Sequence, residues 1–153
     1  MLMDCPEGAT PLTRGDWILT VIEDPFVKNA GPFYRIDTDD PVEPMRFGFV
    51  IETCHCNRLG SCHGGMLATF LDISLGFVGK AACGDELLTP TISLSMDFLR
   101  PASIGEWVES RIRLVHQTRR MFFVEGTLVT VEGPIVRASA IYKRQAKGTS
   151  EAY

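Results

Sequence analysis

Asp72 is the residue of this sequence whose type and surroundings most strongly suggest chemistry. It lies inside the longest apolar run, Met66 to Cys83, whose hydrophobic spacing covers most of the circumference of a helix. Burying a carboxylate in such a run costs free energy unless the group is hydrogen-bonded or ion-paired, so its presence also suggests a function. Two interpretations stay open: neighbouring hydroxyls or water satisfy Asp72, or the carboxylate acts on a bound substrate.

The predicted helix carries Asp72 on a stripe of small residues. Its members recur at steps of three or four and are Gly65, Ala68, Thr69, Asp72, Gly76 and Gly79. Small side chains on one face either let another element pack closely or leave room for a substrate. The spacing is compatible with both.

The loop before this helix ends in His63-Gly64-Gly65. Gly64 and Gly65 are predicted in the first helical turn, where backbone N–H groups have no intrahelical partner and the helix dipole favours negative charge. Glycine also lets a ligand approach those donors closely. The helix start therefore predicts a site for an oxyanion, two turns from Asp72 and on the same side.

A family resemblance rests on these residues. In order and spacing, the sequence resembles the motif of the hotdog-fold acyl-CoA thioesterases of the PaaI-like group through Asn57, His63-Gly64-Gly65 and Asp72. The similar region runs from about residue 24 to residue 144. The resemblance implies a thioester hydrolase whose site is built between two subunits of a homodimer or homotetramer.

The resemblance also assigns roles within this motif. Gly64 is similar to the glycine whose N–H polarises the thioester carbonyl, and Asp72 to the acid that activates water or attacks the carbon. His63 and Asn57 match the pair that shapes the loop and supports the leaving group, although a capping or turn role would explain either of them. Thr91 stands where related enzymes place a hydroxyl that helps to hold the water.

Substrate contacts are predicted at two further positions. Gly65 would bind the substrate beside Gly64, and Arg100, before a proline at a strand end, would bind the phosphates of coenzyme A. Lys143 and Arg144 are further candidates for those phosphates. All three cations are equally compatible with ordinary solvated charges.

The order of elements predicts an α+β fold. We expect a short helix between Thr13 and Pro25, strands over 32–37 and 46–54, and a central helix that ends near Gly84. Four more strands are predicted over 91–98, 107–116, 119–131 and 135–144. Strands joined by short turns make an antiparallel sheet with one apolar face, which is expected to curl around the helix. This is the hotdog architecture.

Residues 1–153 are predicted to form one such domain. Residues 1–31 are a lead-in with the short helix, and residues 145–153 a flexible tail. The strand over 46–54 is expected to pair edge to edge with a second copy.

Composition excludes several other classes. The 153 residues are 45% hydrophobic with a net charge of −4, which is typical of a globular protein and unlike a nucleic-acid-binding surface. Asp72 and Lys80 inside the apolar run disfavour a membrane span. The start of the sequence lacks the pattern of a signal peptide, and five cysteines favour reduced thiols, so a cytoplasmic location is expected.

A metal site is considered because four cysteines and two histidines lie close in sequence. Their spacing matches structural zinc sites poorly, so neither a metal nor an organic cofactor is predicted. The residues are Cys54, His55, Cys56, Cys62, His63 and Cys83. Cys62 beside His63 is also a weak candidate nucleophile, because neighbours at a helix start point in different directions.

Hydrolysis of an acyl-CoA is the predicted function, and three alternatives remain. The first is a non-catalytic acyl-CoA-binding module of the same fold. The second is a hotdog hydratase or dehydratase, which would need an acid–histidine pair, and the third is a zinc-dependent activity. Aromatic and fatty acyl groups are both compatible with the sequence, as are dimer and tetramer.

Overall fold

The computed structural model describes residues 8–86 and 89–144. The predicted tail over 145–153 lies outside this part of the chain. The elements in order are β1 (Ile18–Thr20), α1 (Pro25–Ala30), β2 (Phe33–Asp40), β3 (Glu43–Val50), a 3₁₀ turn (Thr53–His55), α2 (Gly64–Ala82), β4 (Thr91–Phe98), β5 (Trp107–Gln117), β6 (Met121–Thr130) and β7 (Gly133–Lys143).

The strands form one antiparallel sheet of seven, in the order β1-β2-β3-β5-β6-β7-β4. Helix α2 packs across one face of this sheet, chiefly against β3, β5 and β6. Alternation along the strands supplies the apolar side chains that meet the helix. The predicted α+β class, with a long central helix on an antiparallel sheet, is confirmed.

Helix α2 follows the predicted limits closely. It begins at Gly64 and ends at Ala82, and Gly84 follows with a φ of +68°, the left-handed conformation that ends many helices. Its length and apolarity would suit a membrane span. Its buried side chains pack instead into the core of the same chain, and they are Leu67, Phe70, Leu71, Ser74, Leu75 and Val78.

Gly79 shows why part of the small-residue stripe exists. A Cβ added there would lie 2.3 Å from the Phe122 ring of β6, so the ring or the helix would have to move. This end of the stripe therefore serves close packing of the helix on the sheet.

The predicted helix between Thr13 and Pro25 is wrong. Ile18–Thr20 form strand β1, which pairs with β2, and Trp17 packs edge-on against Trp107 at 5.1 Å between ring centroids. The backbone and hydroxyl of Thr13 donate to Glu109, whose side chain is fully buried. These contacts with distant strands override the local apolar spacing.

Pro25 begins a helix instead of ending one. It occupies the first turn of α1, where the N–H that proline lacks would have no partner. The Asp24 carboxylate caps the same turn by accepting from the N–H groups of Phe26 and Val27.

The strand over 46–54, which was expected to pair edge to edge with a second copy, does not lie at an edge of the sheet. Strand β3 lies inside the sheet, because β2 pairs with one side of it and β5 with the other. Strand β4 is the long edge strand of the described chain, since it pairs with β7 alone. Ile92 and Phe98 on β4 are 54% and 55% exposed, which is unusual for large apolar residues on an unpaired edge.

Candidate active site

The loop of residues 57–61 leads into helix α2 and is held by its own hydrogen bonds. The side-chain amide of Asn57 donates to the Ser61 hydroxyl at 3.0 Å, and its oxygen accepts from the Leu59 N–H at 2.8 Å. Asn57 thus fixes the shape of the loop, as one of its predicted roles requires. One of its two amide hydrogens remains available for a further partner.

His63 is the N-cap of α2. Its Nδ1 accepts from the Gly65 N–H at 2.8 Å, so in the neutral ring Nε2 carries the proton. This cap engages the donor of Gly65, which was predicted to contact substrate. The Gly64 N–H makes no hydrogen bond within the described chain, and it is therefore the amide at the helix start that is free to bind an oxyanion.

Asp72 lies on the third turn of α2 and is held by two hydroxyls. Tyr142 on β7 places its hydroxyl 2.8 Å from Oδ1 of Asp72 and 2.8 Å from the Asp72 carbonyl oxygen. The Thr91 hydroxyl donates to the same Oδ1 at 3.0 Å. Within the described residues Oδ2 makes no hydrogen bond, so one oxygen of the carboxylate is anchored and the other is available.

Tyr142 is a rigid anchor for this carboxylate. The residue is buried, and its ring stacks on Phe122 with centroids 5.1 Å apart. Burial, followed by the charge of Asp72, raises the pKa of Tyr142 above its ordinary value, so the hydroxyl stays protonated and donates. Gly76 makes room for the ring, since a Cβ there would lie 3.3 Å from it.

A cavity of about 140 Å³ opens beside Asp72. Its walls come from one face of α2, from the segment before β4 and from β7. They are formed by Asp72, Ile73, Gly76, Phe77, Lys80, Thr89, Thr91 and Tyr142. The lining thus combines one carboxylate, one ammonium group and three hydroxyl residues with apolar side chains, which is the usual composition of a small-molecule site.

The amide of Gly64 and the carboxylate of Asp72 are too far apart to act on one atom within a single chain. They are eight residues apart on α2, which corresponds to about 12 Å along the helix axis at 1.5 Å per residue. A group that attacks a carbonyl carbon and a donor to the carbonyl oxygen each lie about 3 Å from the reacting atoms.

The cations predicted to bind phosphates mostly have other partners. Arg100 pairs with Glu132 at 2.6 Å and donates to the Thr130 hydroxyl at 2.7 Å. Arg144 forms two 2.8 Å contacts with the Asp85 carboxylate. Either guanidinium would have to leave a carboxylate to bind a phosphate, so the structure lends these two predictions no support.

Cys62 does not have the surroundings of a nucleophile. It is buried, and burial, with a smaller effect from Cys56, raises its pKa to about 12. A thiol with such a pKa is almost entirely protonated at neutral pH. Among the residues that the structure describes, no group of three or more His, Cys, Asp or Glu side chains is arranged to hold a metal ion.

Sequence reasoning missed Tyr142. The alternation along β7 places it on the same face as Val136 and Ala140, which predicts a core tyrosine and nothing more. Its link to Asp72 depends on how β7 lies beside the helix, and spacing does not encode that register. An unexplained carboxylate on an apolar helix was the available signal that some donor must face it.

Comparison with known proteins agrees with this fold. A model of the thioesterase superfamily matches residues 59–137, which is more than half of the chain and includes Gly64, Asp72 and Thr91. The chain belongs to the thioesterase superfamily. A Pseudomonas aeruginosa protein named "Putative esterase PA0474" is 29% identical over 141 residues, covering 92% of this chain and 98% of that protein.

Solved structures show the same architecture. The Escherichia coli PaaI protein from the phenylacetic acid degradation operon superposes with a TM-score of 0.70 at 19% identity, covering 81% of this chain and 86% of that one. A hypothetical thioesterase from Streptococcus pneumoniae, solved with coenzyme A, superposes with a TM-score of 0.62 at 20% identity, covering 69% and 83%. The fold is therefore hotdog-like, as the sequence predicted.

Proposed function

We propose that this chain is an acyl-CoA thioesterase that uses Asp72 and the amide of Gly64. The observation that carries the proposal is the state of the Asp72 carboxylate: two hydroxyls hold Oδ1, Oδ2 has no hydrogen-bond partner among the described residues, and Asp72 lines a cavity. A carboxylate that is held on one oxygen and lines a cavity is placed to act on a molecule bound there. The superfamily membership supports a thioester as the substrate.

The reaction needs only the groups in this site. In one route, Oδ2 of Asp72 takes a proton from a water molecule, and the resulting hydroxide attacks the thioester carbon. In the other, Oδ2 attacks the carbon directly and water later cleaves the anhydride. Both routes use the same atom, and in both a thiolate leaves while the Gly64 N–H stabilises the negative carbonyl oxygen.

Coenzyme A is the proposed thiol carrier. The streptococcal thioesterase of similar fold was solved with coenzyme A, and that fact supports the same leaving group here. The exposed Nε2–H of His63 lies beside Gly64, at the position that the resemblance assigns to the leaving-group side. An imidazole N–H is suited to a thiolate or a phosphate oxygen there.

Two copies of the chain are proposed to complete each site. Thr91, at the start of β4, contacts Asp72, and Phe98, at its end, packs against Gly64. If two β4 edges pair antiparallel about a twofold axis, the start of one strand lies opposite the end of the other. Asp72 then lies beside the partner subunit's Gly64, which removes the 12 Å separation found in one chain.

Replacement of Asp72 tests the proposal directly. Asp72→Asn and Asp72→Ala should lower kcat/KM on a panel of short, long and aromatic acyl-CoAs by about 10²–10⁴-fold, the usual contribution of a positioned base. Release of coenzyme A is followed with a thiol reagent. Asp37→Asn is the matched control, because Asp37 is an exposed carboxylate on β2, away from the proposed β4 interface, and pairs with Arg35.

Near-normal turnover by both Asp72 variants would refute the assignment. Wild-type protein that binds acyl-CoA in stoichiometric amounts and releases it unchanged would instead establish the non-catalytic binding module. Asp37→Asn should retain wild-type kinetics.

Gly64→Pro tests the amide donor. Proline is well tolerated at the first position of a helix, and it removes the N–H. His63 has φ −64° and ψ 135°, the extended conformation that a following proline requires. Loss of one oxyanion donor should reduce kcat by about 10²–10³-fold.

Gly64→Ala is its control, since it adds a Cβ near Phe98 but keeps the donor. A Cβ at residue 64 would lie 3.3 Å from the edge of an exposed ring. We expect Gly64→Ala to stay within about tenfold of wild type. Equal losses in both variants would show that steric fit, and not the N–H, matters at this position.

Tyr142→Phe tests the anchor of the carboxylate. The ring and its stacking are kept, while one donor to the ionised Asp72 is lost. We expect about a tenfold lower kcat, in line with about 1.5 kcal/mol for a hydrogen bond to a charged group. Because Asp72→Asn removes the carboxylate that this donor serves, Tyr142→Phe should cause no further loss of kcat in the Asp72→Asn background. A further loss in that background would indicate a purely structural role.

A further inference from the structure

Cys56 and Cys62 face each other at the base of the loop that precedes α2. The two residues form an antiparallel bridge. Hydrogen bonds flank it on both sides: the Asn57 N–H donates to the Ser61 carbonyl at 2.9 Å, and the His63 N–H donates to the His55 carbonyl at 2.8 Å. The pair is therefore the non-hydrogen-bonded kind, in which the side chains of both residues lie on the same side and close together.

This register suits a disulfide. Directly opposed residues of that kind have Cα atoms about 4.5 Å apart, and disulfides join Cα atoms about 4.4–6.8 Å apart. The two thiols are close enough that the charge of Cys56 acts on Cys62. Both cysteines are free thiols here, so the structure shows the reduced form of the pair.

The two thiols differ in access to solvent. Cys56 is half-buried, whereas Cys62 is buried under the loop. Burial also raises the pKa of Cys62 to about 12, so this thiol reacts slowly with a dissolved oxidant. An oxidant from solution therefore meets Cys56 first, and Cys62 is placed to react with the product.

We propose that Cys56 and Cys62 form a reversible oxidation site for hydroperoxides. The Cys56 thiolate attacks one peroxide oxygen, the O–O bond breaks, and Cys56 becomes a sulfenic acid. The hydroxide or alkoxide that leaves takes up the proton that the thiol had released to solvent, which gives water or an alcohol. The Cys62 sulfur then attacks the Cys56 sulfur and displaces hydroxide, which takes the Cys62 proton to give water. Two thiols are oxidised to one disulfide, the peroxide is reduced, and a dithiol reverses the change.

The disulfide would close a ring around the loop that carries Asn57. His63 follows the ring directly, and its cap on Gly65 defines the start of α2. Oxidation would therefore restrict the conformational freedom of the segment that leads into the proposed oxyanion site. The linkage itself rests only on the cysteine geometry, so it stands or fails separately from the proposed thioesterase activity.

Peptide mapping of the oxidised protein tests the site. The full-length protein is treated with hydrogen peroxide, free thiols are blocked, and trypsin is added. Arg58 lies between the two cysteines, so cleavage there yields residues 47–58 and 59–80 as a linked pair only when a disulfide is present. Because Cys54 shares the first peptide, Cys54→Ser is the matched variant that isolates Cys56.

Wild type and Cys54→Ser should both give the linked pair, lose two hydrogen atoms in intact mass, and show a Tm higher by several degrees after oxidation. Dithiothreitol should reverse all three changes. Cys56→Ser and Cys62→Ser should give no linked pair. A link that persists in Cys56→Ser, or a wild type that traps dimedone on Cys56 without forming the link, would overturn the proposal.

Discussion

A carboxylate halfway along an apolar helix must be satisfied, and the rest of the site follows from that constraint. Asp72 receives hydroxyls from two different strands, Thr91 of β4 and Tyr142 of β7. These strands are neighbours in the sheet although they are far apart in sequence. Glycines on the helix let the aromatic rings approach closely enough to donate and to stack. The same contacts therefore provide hydrogen bonds to the carboxylate and pack the helix against the sheet.

This arrangement anchors one oxygen of the carboxylate and leaves the other without a partner among the described residues. Both hydroxyls donate to Oδ1, which fixes the plane of the group without engaging Oδ2. A preorganised acceptor of this kind needs no reorganisation when a substrate arrives. The start of α2 likewise has one bonded and one unbonded group. His63 accepts from the Gly65 N–H, while the Gly64 N–H has no partner in the described part of the chain.

Much of the fold was predictable because its signals are local. The apolar run and Gly84 defined α2 to within two residues, and clean alternation gave β4 its observed limits. The first helix failed because Trp17 and Thr13 make their contacts with β5, which local spacing does not reveal. The edge strand failed for a related reason: strand order depends on pairing between distant segments, and β3 is as apolar as an interior strand should be.

Part of the candidate site could also be predicted from the sequence, and part could not. The positions of Gly64, His63 and Asp72 on the helix were predictable from residue type and helical spacing, since a helix start and an acid within an apolar run are visible in the sequence. Tyr142 was not, because its hydroxyl reaches Asp72 only through the register of β7 on α2. The small-residue stripe allowed two interpretations, and the structure uses both: Gly79 admits Phe122, while Gly76 admits Tyr142 and also lines the cavity.

Subunit mixing shows directly whether Asp72 acts with the Gly64 amide of a second copy of the chain. Asp72→Asn and Gly64→Pro proteins are combined in equal amounts under conditions where differently tagged subunits are shown to exchange. Half of the dimers then contain one chain of each kind, and one of their two sites is intact. If each site combines residues of two chains, mixing should recover about a quarter of wild-type activity from two inactive proteins. Mixed dimers that form but stay as inactive as their parents would contradict it.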